Sequence, residues 1–394
     1  MKLGPLPILF GFSLHLLQIP YSLAESCSTI PSGYSFSGSS ALLPDPFTFI
    51  NGTKVTTKDA WACRREEISA LFQSYELGPL PPPVESVTAT VSLGRLNIVV
   101  SAQGKTLSFA PSIRLPSGNG PFAAIIALGG ASVPIPNNVA LITLNNEEIA
   151  ATDPRGRGKF FDFFDRGQKT GGLLAWSWAV SRIMDALEEL GPTTTKINPD
   201  RVGVTGCSRN GKGAFISGAF DSRIRLTLPQ EAGSGGMGCW RIVAEMKKNG
   251  TKVEDATQII NGDQWFSADF SKYVNDLGKL PLDHHLLAGL VAPRGLLVIE
   301  NSGIDYLGPV STYGCASAGR LIYTALSSER HMGFAQVAHG SSHCQLPASL
   351  RGDVTAYIDW WLLDKSTGAN IFKTDKIYNF HLGRWVNWTV PILA

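Results

Sequence analysis

The alternation of apolar and polar positions divides the chain into short strands and amphipathic helices. Residues 84–115 alternate with period two around turn signals at Gly94 and Gly104, which predicts two or three antiparallel strands. Residues 173–190 instead carry apolar side chains at helical spacing and stop at a Gly-Pro pair. Further apolar runs predict buried strands at 122–128, 139–144, 201–205, 224–228, 295–300 and 334–337. Strands that alternate with helices predict a mostly parallel sheet with helices on both faces.

One predicted strand leads into a motif for a nucleophilic serine. Residues 201–214 read as a short strand, a sharp glycine turn that holds Ser208, and a helix start of small residues. This setting exposes the serine of α/β-hydrolases, whose usual pattern is Gly-x-Ser-x-Gly. Here Gly206 and Ser208 fit the pattern, Asn210 takes the fifth position, and Gly211 follows one residue late. The predicted fold is therefore an α/β-hydrolase, a three-layer αβα sandwich.

A serine nucleophile needs a base, normally a histidine that a carboxylate orients. We favour His343 because it comes late in the chain and is followed by Cys344, and His339 is the runner-up. If Cys207 and Cys344 pair, their Cα atoms lie roughly 4.4–6.8 Å apart. Such a disulfide would hold Ser208 and His343 within reach of each other.

The acid remains open on the residues alone. The usual layout places it after the second strand beyond the nucleophile, which nominates Glu300 or Asp305, whereas Glu231 follows the first such strand. Like Ser208 and His343, Glu231 and Asp305 lie just past the ends of predicted strands. Ligands of open parallel sheets bind beyond these carboxyl ends, so the placement supports a shared site.

The N-terminus and the charge indicate an exported protein. Lys2, an apolar core of ten residues at 8–17 and a small-x-small site at 22–24 predict a signal peptide over residues 1–24, followed by one catalytic domain over 25–394. This core is too short for a bilayer, which takes about 20 residues, so we expect a secreted, extracellular chain without a membrane anchor. The net charge of +2 argues against nucleic-acid and membrane-surface partners.

Cysteines and sequons agree with export. Six cysteines follow the predicted signal, an even number that suggests three disulfides, and their spacing does not fit a zinc site. We therefore expect no metal. Three Asn-x-Thr sequons mark candidate glycosylation positions at Asn51, Asn249 and Asn387.

Seven sequence blocks together resemble the fungal-type glucuronoyl esterases. They are 206–214, 230–236, 239–241, 265–267, 283–287, 307–312 and 343–345, and the similarity runs from about Cys27 almost to the C-terminus. The resemblance implies a 4-O-methyl-glucuronoyl methylesterase. Such an enzyme hydrolyses the ester that joins 4-O-methyl-D-glucuronic acid of glucuronoxylan to lignin alcohols, through an acyl-enzyme. No cofactor is implied, and we expect a monomer.

The resemblance also assigns residues. It makes Ser208 the nucleophile, His343 the base and Glu231 the acid, which resolves the choice of acid. Arg209 matches the arginine whose backbone amide and side chain stabilise the oxyanion. The disulfides that the resemblance implies are Cys27–Cys63, Cys207–Cys344 and Cys239–Cys315.

The sugar-binding positions depart from the family pattern. Lys212 matches a lysine that contacts ring hydroxyls, but Glu254 stands for a glutamine, Gly262 for the glutamate that holds the sugar diol, and Tyr306 for a tryptophan beside the uronate. A missing carboxylate removes charge-assisted hydrogen bonds worth about 1.5–3 kcal/mol each. Glu254 or Asp263 are candidates to compensate. The chemistry is therefore predicted to be intact and the specificity altered.

Two alternatives remain open, of which these departures motivate the first. The first is a related serine esterase for a different acyl sugar or a small methyl ester. The second is a glycan-binding protein that has lost catalysis, against which the complete set of serine, histidine and acid argues.

Overall fold

A mixed sheet forms the centre of the computed structural model, which describes residues 38–365 and 368–393 together with Met1, Cys27, Ile30, Tyr34 and Phe36. Its eleven strands within these residues run in the order β1-β2-β4-β6-β5-β7-β8-β9-β10-β11, with β3 paired to β2. The strands are β1 Ser86–Ser92, β2 Arg95–Ala102, β3 Lys105–Phe109, β4 Ser112–Arg114, β5 Phe122–Leu128, β6 Val139–Leu144, β7 Ile197–Cys207, β8 Leu226–Gln230, β9 Gly295–Glu300, β10 Met332–Gln336 and β11 Phe372–Thr374.

The sheet changes character along its width. Strands β1 to β4 pair with one another antiparallel, and β4 also pairs antiparallel with β6. From β6 through β5 to β11, all neighbouring strands are parallel. The first part holds four strands where two or three were predicted, because Pro111 interrupts the alternation and separates β3 from the short β4. The parallel part confirms the predicted α/β-hydrolase architecture.

Ten α-helices in the described ranges surround this sheet. They are α1 Lys58–Phe72, α2 Asn146–Ile149, α3 Lys159–Phe163, α4 Gly172–Thr195, α5 Arg209–Phe220, α6 Trp240–Lys248, α7 Ala256–Gly262, α8 His285–Val291, α9 Pro309–Ala325 and α10 Ala348–Trp361. Helix α4 outlasts its predicted end at residue 190. Gly191 adopts φ 70° and kinks the helix, and Pro192 then starts a further turn, where its missing N–H costs nothing.

Alternate residues of the parallel strands enter two separate apolar layers. In β5, Ile126 belongs to the apolar layer that includes residues of α4, α5 and α8, whereas Ile125 belongs to the layer that includes residues of α10. Strands β8 and β9 are buried at every position, as expected for parallel strands covered on both sides. The helices therefore flank both faces, and the carboxyl ends of β7, β8 and β9 are left to present functional residues.

Three disulfides join described cysteines. They are Cys27–Cys63, Cys207–Cys344 and Cys239–Cys315, with Cα–Cα distances of 5.0, 5.7 and 5.2 Å. These are the pairs that the resemblance implies. The three sequon asparagines Asn51, Asn249 and Asn387 are exposed.

The predicted signal peptide, residues 1–24, lies outside the described residues apart from Met1. Within the ranges that are described, no helix combines the length and the apolar character needed to cross a bilayer.

Candidate active site

Ser208 lies in a strained turn between a buried strand and a helix. Strand β7 ends at Cys207 and helix α5 begins at Arg209, so Ser208 alone makes the turn, with φ 59° and ψ −129°. A residue with a side chain rarely adopts this conformation, and such strain concentrates at functional sites. Two hydrogen bonds hold the turn: the Ser208 amide donates to Gln230 O at 3.0 Å, and the Lys212 amide donates to Ser208 O at 3.0 Å.

The late glycine of the serine motif has a steric reason. A Cβ on Gly211 would lie 2.6 Å from Gln230 O, and a Cβ on Gly206 would lie 2.3 Å from Asn210 O. Both glycines therefore allow the turn to approach neighbouring backbone closely. The position before Gly211 is free to hold Asn210, whose side-chain oxygen accepts a hydrogen bond from Asn146 Nδ2 at 3.0 Å.

Asn210 also packs against the loop that follows β5. A Cβ on Gly129 would lie 2.3 Å from Asn210 Nδ2 and would displace this amide, and the φ of 67° at Gly129 also favours glycine. Asn210 departs from the usual serine pattern, and that pattern does not predict this contact. The presence of Asn210 at the fifth motif position could have indicated this contact, since a polar side chain in a turn of small residues needs a hydrogen-bond partner.

Glu231 binds the predicted base directly. The Glu231 carboxylate is fully buried just past the end of β8, and its Oε2 lies 2.9 Å from His343 Nδ1. The Cys344 amide donates to the same oxygen at 3.1 Å. Burial opposes ionisation of Glu231, but hydrogen bonds from His343, the Cys344 amide and Gln230 outweigh it and hold the pKa of this carboxyl below its usual range. An ionised Glu231 can orient the imidazole and stabilise its cation.

The disulfide Cys207–Cys344 joins the two halves of the site. Cys207 directly precedes Ser208, Cys344 directly follows His343, and their Cα atoms are 5.7 Å apart. Because His343 Nδ1 faces Glu231, its Nε2 is the nitrogen left for the serine. Within the described residues, the hydrogen bond of the His343 ring is to Glu231 and not to the Ser208 hydroxyl. Catalytic hydrogen bonds often close only in the substrate complex.

The runner-up histidine also contacts Glu231, from the other side. His339 Nε2 lies 3.1 Å from Glu231 Oε1, and His339 Nδ1 lies 2.9 Å from Val337 O. Both ring nitrogens are therefore engaged, and neither is free to accept the serine proton. The geometry favours His343 as the base.

The two other candidate acids occupy different environments. Glu300, at the end of β9, is buried and accepts a hydrogen bond from the Gly233 amide at 3.3 Å. Burial, with a smaller contribution from nearby Glu231, raises the pKa of Glu300 to about 8. Asp305 is exposed and starts the 3₁₀ turn Asp305–Leu307. Among the residues described, neither carboxyl hydrogen-bonds a histidine ring, so the structure brings Glu231 alone of the three to His343.

Arg209 is placed to offer its backbone to an anion. As the first residue of α5 it has an amide without an acceptor inside the helix, at the positive end of the helix dipole. Its side chain is 47% exposed and pairs with Glu147, with 3.2 Å between Arg209 Nε and Glu147 Oε1. The amide can therefore donate a hydrogen bond to an anion, whereas the guanidinium already pairs with the Glu147 carboxylate.

Three of the four predicted sugar contacts form one hydrogen-bonded group. Lys212 is buried, and its Nζ donates to Ala232 O at 2.8 Å and to Glu254 Oε2 at 3.1 Å. The same Nζ lies 5.0 Å from the centre of the Trp265 ring. The Tyr306 hydroxyl donates to Glu254 Oε1 at 3.1 Å. Burial and the charge of Glu254 raise the pKa of this phenol to about 12. Glu254 therefore joins Lys212 to Tyr306.

Gly262, the fourth predicted sugar contact, lies in open space. It is the last residue of α7, it is exposed, and no atom lies within 4 Å of the position its Cβ would take. The next residue, Asp263, is half-buried, and burial together with Glu254 raises the pKa of its carboxyl. Lys212 and Arg209 oppose this shift, which places Asp263 in the electrostatic field of both the sugar group and the serine turn.

Comparison with known proteins gives a consistent result. The profile of the family described as "Glucuronyl esterase, fungi" matches residues 98–327. A "4-O-methyl-glucuronoyl methylesterase" of Thermothelomyces thermophilus is 50% identical over 360 residues, which cover 90% of each chain. One of Podospora anserina is 51% identical over 377 residues, which cover 93% of this chain and 78% of the relative.

A solved structure of the same kind superimposes closely. A glucuronoyl esterase from Sporotrichum thermophile, crystallised as a serine-to-alanine mutant with methyl 4-O-methyl-beta-D-glucopyranuronate, has a TM-score of 0.90 at 48% identity. The match covers 94% of this chain and 100% of that structure.

Proposed function

This chain belongs to the fungal glucuronoyl esterases, and on that premise we propose that it is a serine esterase that hydrolyses esters of 4-O-methyl-D-glucuronic acid. It is a carboxylic ester hydrolase with an α/β-hydrolase fold. The observation that carries the proposal is the contact of Glu231 with His343, beside a disulfide that ties the histidine loop to the serine turn.

In the proposed acylation step, His343 Nε2 takes the proton of Ser208 as the serine oxygen attacks the ester carbonyl. The carbonyl electrons move onto its oxygen, next to the Arg209 amide. A preorganised donor at this oxygen is worth about 2.7–4 kcal/mol of barrier. This first tetrahedral intermediate collapses: the carbonyl re-forms, the bond from the carbonyl carbon to the alcohol oxygen breaks, and His343 gives its proton to the departing alcohol. The uronoyl group remains bound to Ser208.

Deacylation repeats these roles with water. His343 takes a proton from the attacking water, a second tetrahedral intermediate forms beside Arg209, and the serine leaves with the proton from His343. The ionised Glu231 stabilises the histidine cation in both steps. The products are the free uronic acid and the alcohol, and Ser208 is restored.

We propose that the acid part of the substrate binds against Lys212, Glu254 and Tyr306 and that the alcohol part faces solvent. His343 has 38% of its side chain exposed, which supports an open site on the alcohol side. An open site suits a bulky alcohol, so we assign the natural substrate to the esters between glucuronoxylan side chains and lignin alcohols. Because nucleophile, base and acid all come from one chain, a monomer suffices.

We also propose that the chain is secreted and acts outside the cell. Three disulfides and three exposed sequon asparagines support export, since disulfides persist in oxidising compartments. The direct test is to express the chain in a fungus and assay the culture medium. We expect the protein in the medium, with glycan attached at one or more of the three asparagines. Retention of all the protein inside the cell would contradict it.

A second candidate function is an esterase for another acyl sugar or a small methyl ester. It is favoured by Gly262, which leaves the family's diol-binding position without a carboxylate. Rates on the benzyl esters of glucuronic and galacturonic acid separate the two candidates. We expect a clear preference for the glucuronate ester, and equal rates on both would favour the second candidate.

A fluorophosphonate probe tests catalysis against mere glycan binding. The probe should form an adduct on the peptide that contains Ser208 in the wild-type protein and none in the S208A variant. An unlabelled wild-type protein would identify a non-catalytic binder.

A further inference from the structure

His339 is a second histidine on the catalytic carboxylate, and the proposed reaction does not use it. Its Nε2 faces Glu231 Oε1 at 3.1 Å and its Nδ1 faces Val337 O at 2.9 Å. Both neighbours are acceptors that cannot donate a proton when Glu231 is ionised. A histidine can bond two acceptors at once only when each ring nitrogen carries a proton, which is the imidazolium cation.

The position of this ring is fixed by its loop. The His339 amide donates to Asn301 Oδ1 at 3.3 Å, and Asn301 Nδ2 donates to Gly340 O at 3.2 Å. Asn301 itself is fully buried after β9. The preceding Ala338 amide donates to Asp375 Oδ2 at 2.8 Å. The side chain of His339 is only 11% exposed, so its contact with Glu231 is part of the built site.

The charged groups around the ring favour a cation. Glu231 lies against it at the end of β8, and Asp375, after β11, holds the loop. Burial opposes ionisation of Asp375, but hydrogen bonds from Ser302 and the Ala338 amide outweigh it and lower its pKa. From the end of β9, Glu300 adds little charge in acid because its pKa is about 8. The remaining neighbour is His343, on the opposite oxygen of Glu231.

We propose that His339 is a positioning residue whose positively charged ring lies beside Glu231 Oε1, the oxygen that does not contact His343. This charge keeps His343 unprotonated, and so able to act as a base, in more acidic solution. The inference rests on the proposed function, because it concerns the base of that reaction. Its physical basis is sharing of the carboxylate charge. With His339 charged, part of the Glu231 charge is compensated, and the base binds its own proton less tightly.

The expected effect is set by Coulomb's law. The two rings bind opposite oxygens of one carboxylate, so their charges are roughly 6–7 Å apart. Between the effective dielectric constants of about 20 for protein and about 80 for water, their repulsion moves a titration by about half a pH unit to two pH units, with about one pH unit near the middle of that range. The base must be unprotonated to act, so kcat/KM rises with pH along the acid limb of its profile. Removing the charge of His339 should move this limb to higher pH.

The test is the pH profile of kcat/KM for H339Q and H339F on a benzyl glucuronate ester, for each variant that keeps the wild-type melting temperature. The glutamine of H339Q can still donate a hydrogen bond to Glu231 but carries no charge. The phenylalanine of H339F neither donates a hydrogen bond nor carries a charge. H381Q, at an exposed histidine on another loop, is the matched control. We expect the midpoint of the acid limb to rise by about one pH unit in both His339 variants and to stay unchanged in H381Q.

An acid limb that stays at the wild-type pH in H339Q would overturn the inference, since it would show that a hydrogen bond without charge suffices. H339K adds a rescue, because it restores the charge and should return the limb towards wild type. Failure of the proposed function is a separate result. It would appear as full activity in S208A, whatever the position of the limb.

Discussion

Replacing Gly262 by glutamate should strengthen binding of glucuronate esters. By resemblance to the family, this position normally holds a glutamate that binds the sugar diol. Gly262 ends α7, open space surrounds the position of its Cβ, and its backbone is not left-handed, so a side chain can be added without a clash. The change restores a carboxylate where the sequence lacks one.

The size of the effect follows from the bonds gained and the costs. A hydrogen bond to a charged group is worth about 1.5–3 kcal/mol, and a new acidic side chain at a helix C-terminus costs about 0.3–1 kcal/mol. The added glutamate also lies next to Asp263, whose pKa is already raised by burial and by Glu254. We therefore expect KM for a benzyl glucuronate ester to fall roughly tenfold, equivalent to about 1.4 kcal/mol, with kcat little changed.

The assay compares KM and kcat on benzyl glucuronate and benzyl galacturonate esters. G262Q has the same length without the charge, and G352E adds the same charge at an exposed glycine of α10 that also has open space. The fall in KM should be large in G262E, smaller in G262Q and absent in G352E. Equal KM values in G262E and the wild type would refute the assignment of Gly262 to the sugar site. So would an equal gain in G352E.

Three further predictions follow from the geometry. E231Q should keep the fold but lose about 10³–10⁴-fold in kcat, because a neutral amide cannot stabilise the histidine cation; a kcat within tenfold of wild type would contradict this role. Replacing Cys207 and Cys344 together by alanine should lower the free energy of unfolding by about 2–5 kcal/mol and should also lower kcat/KM. An unchanged kcat/KM would contradict a positioning role for the disulfide. Because Glu300 is neutral in the fold up to about pH 8, the unfolded chain releases its proton first, and wild-type stability should fall between about pH 4.5 and 8. Denaturant titrations of the wild type should show the free energy of unfolding falling by up to about 5 kcal/mol across that range, and E300Q should lack this fall. The same pH dependence in both proteins would contradict a neutral Glu300.

The fold was predictable where burial dominates the sequence. Strands β5, β6 and β9 have the predicted bounds, because parallel strands covered by helices on both faces carry nearly continuous apolar runs. The prediction was wrong for the end of β8, which extends to the polar Gln230. This residue continues the strand because it pairs in parallel with Cys207 and Ile299 on the two neighbouring strands. Such pairing depends on strands that are distant in sequence, so local patterns cannot reveal it.

The site was predictable in its residue types and not in its geometry. The motif predicts Ser208 as the nucleophile and the flanking cysteine favours His343 as the base, but the residues alone leave Glu231, Glu300 and Asp305 open as the acid. What separates these carboxyls is the backbone beyond each strand. Glu231 turns with φ 44° towards the histidine loop, whereas Glu300 stays in line with its strand beneath the Gly233 amide. The contact of His339 with the same carboxylate depends on that turn and was equally hidden.

The most direct test of the account is to observe the acyl-enzyme on Ser208. Wild type and S208A are mixed with methyl 4-O-methyl-glucuronate, quenched in acid within one turnover and analysed by intact-mass and peptide-mass spectrometry. We predict a uronoyl adduct on the Ser208 peptide of the wild type, methanol release in step with it, and neither in S208A. Ester hydrolysis by S208A at the wild-type rate, or an adduct on another residue, would contradict the central claim.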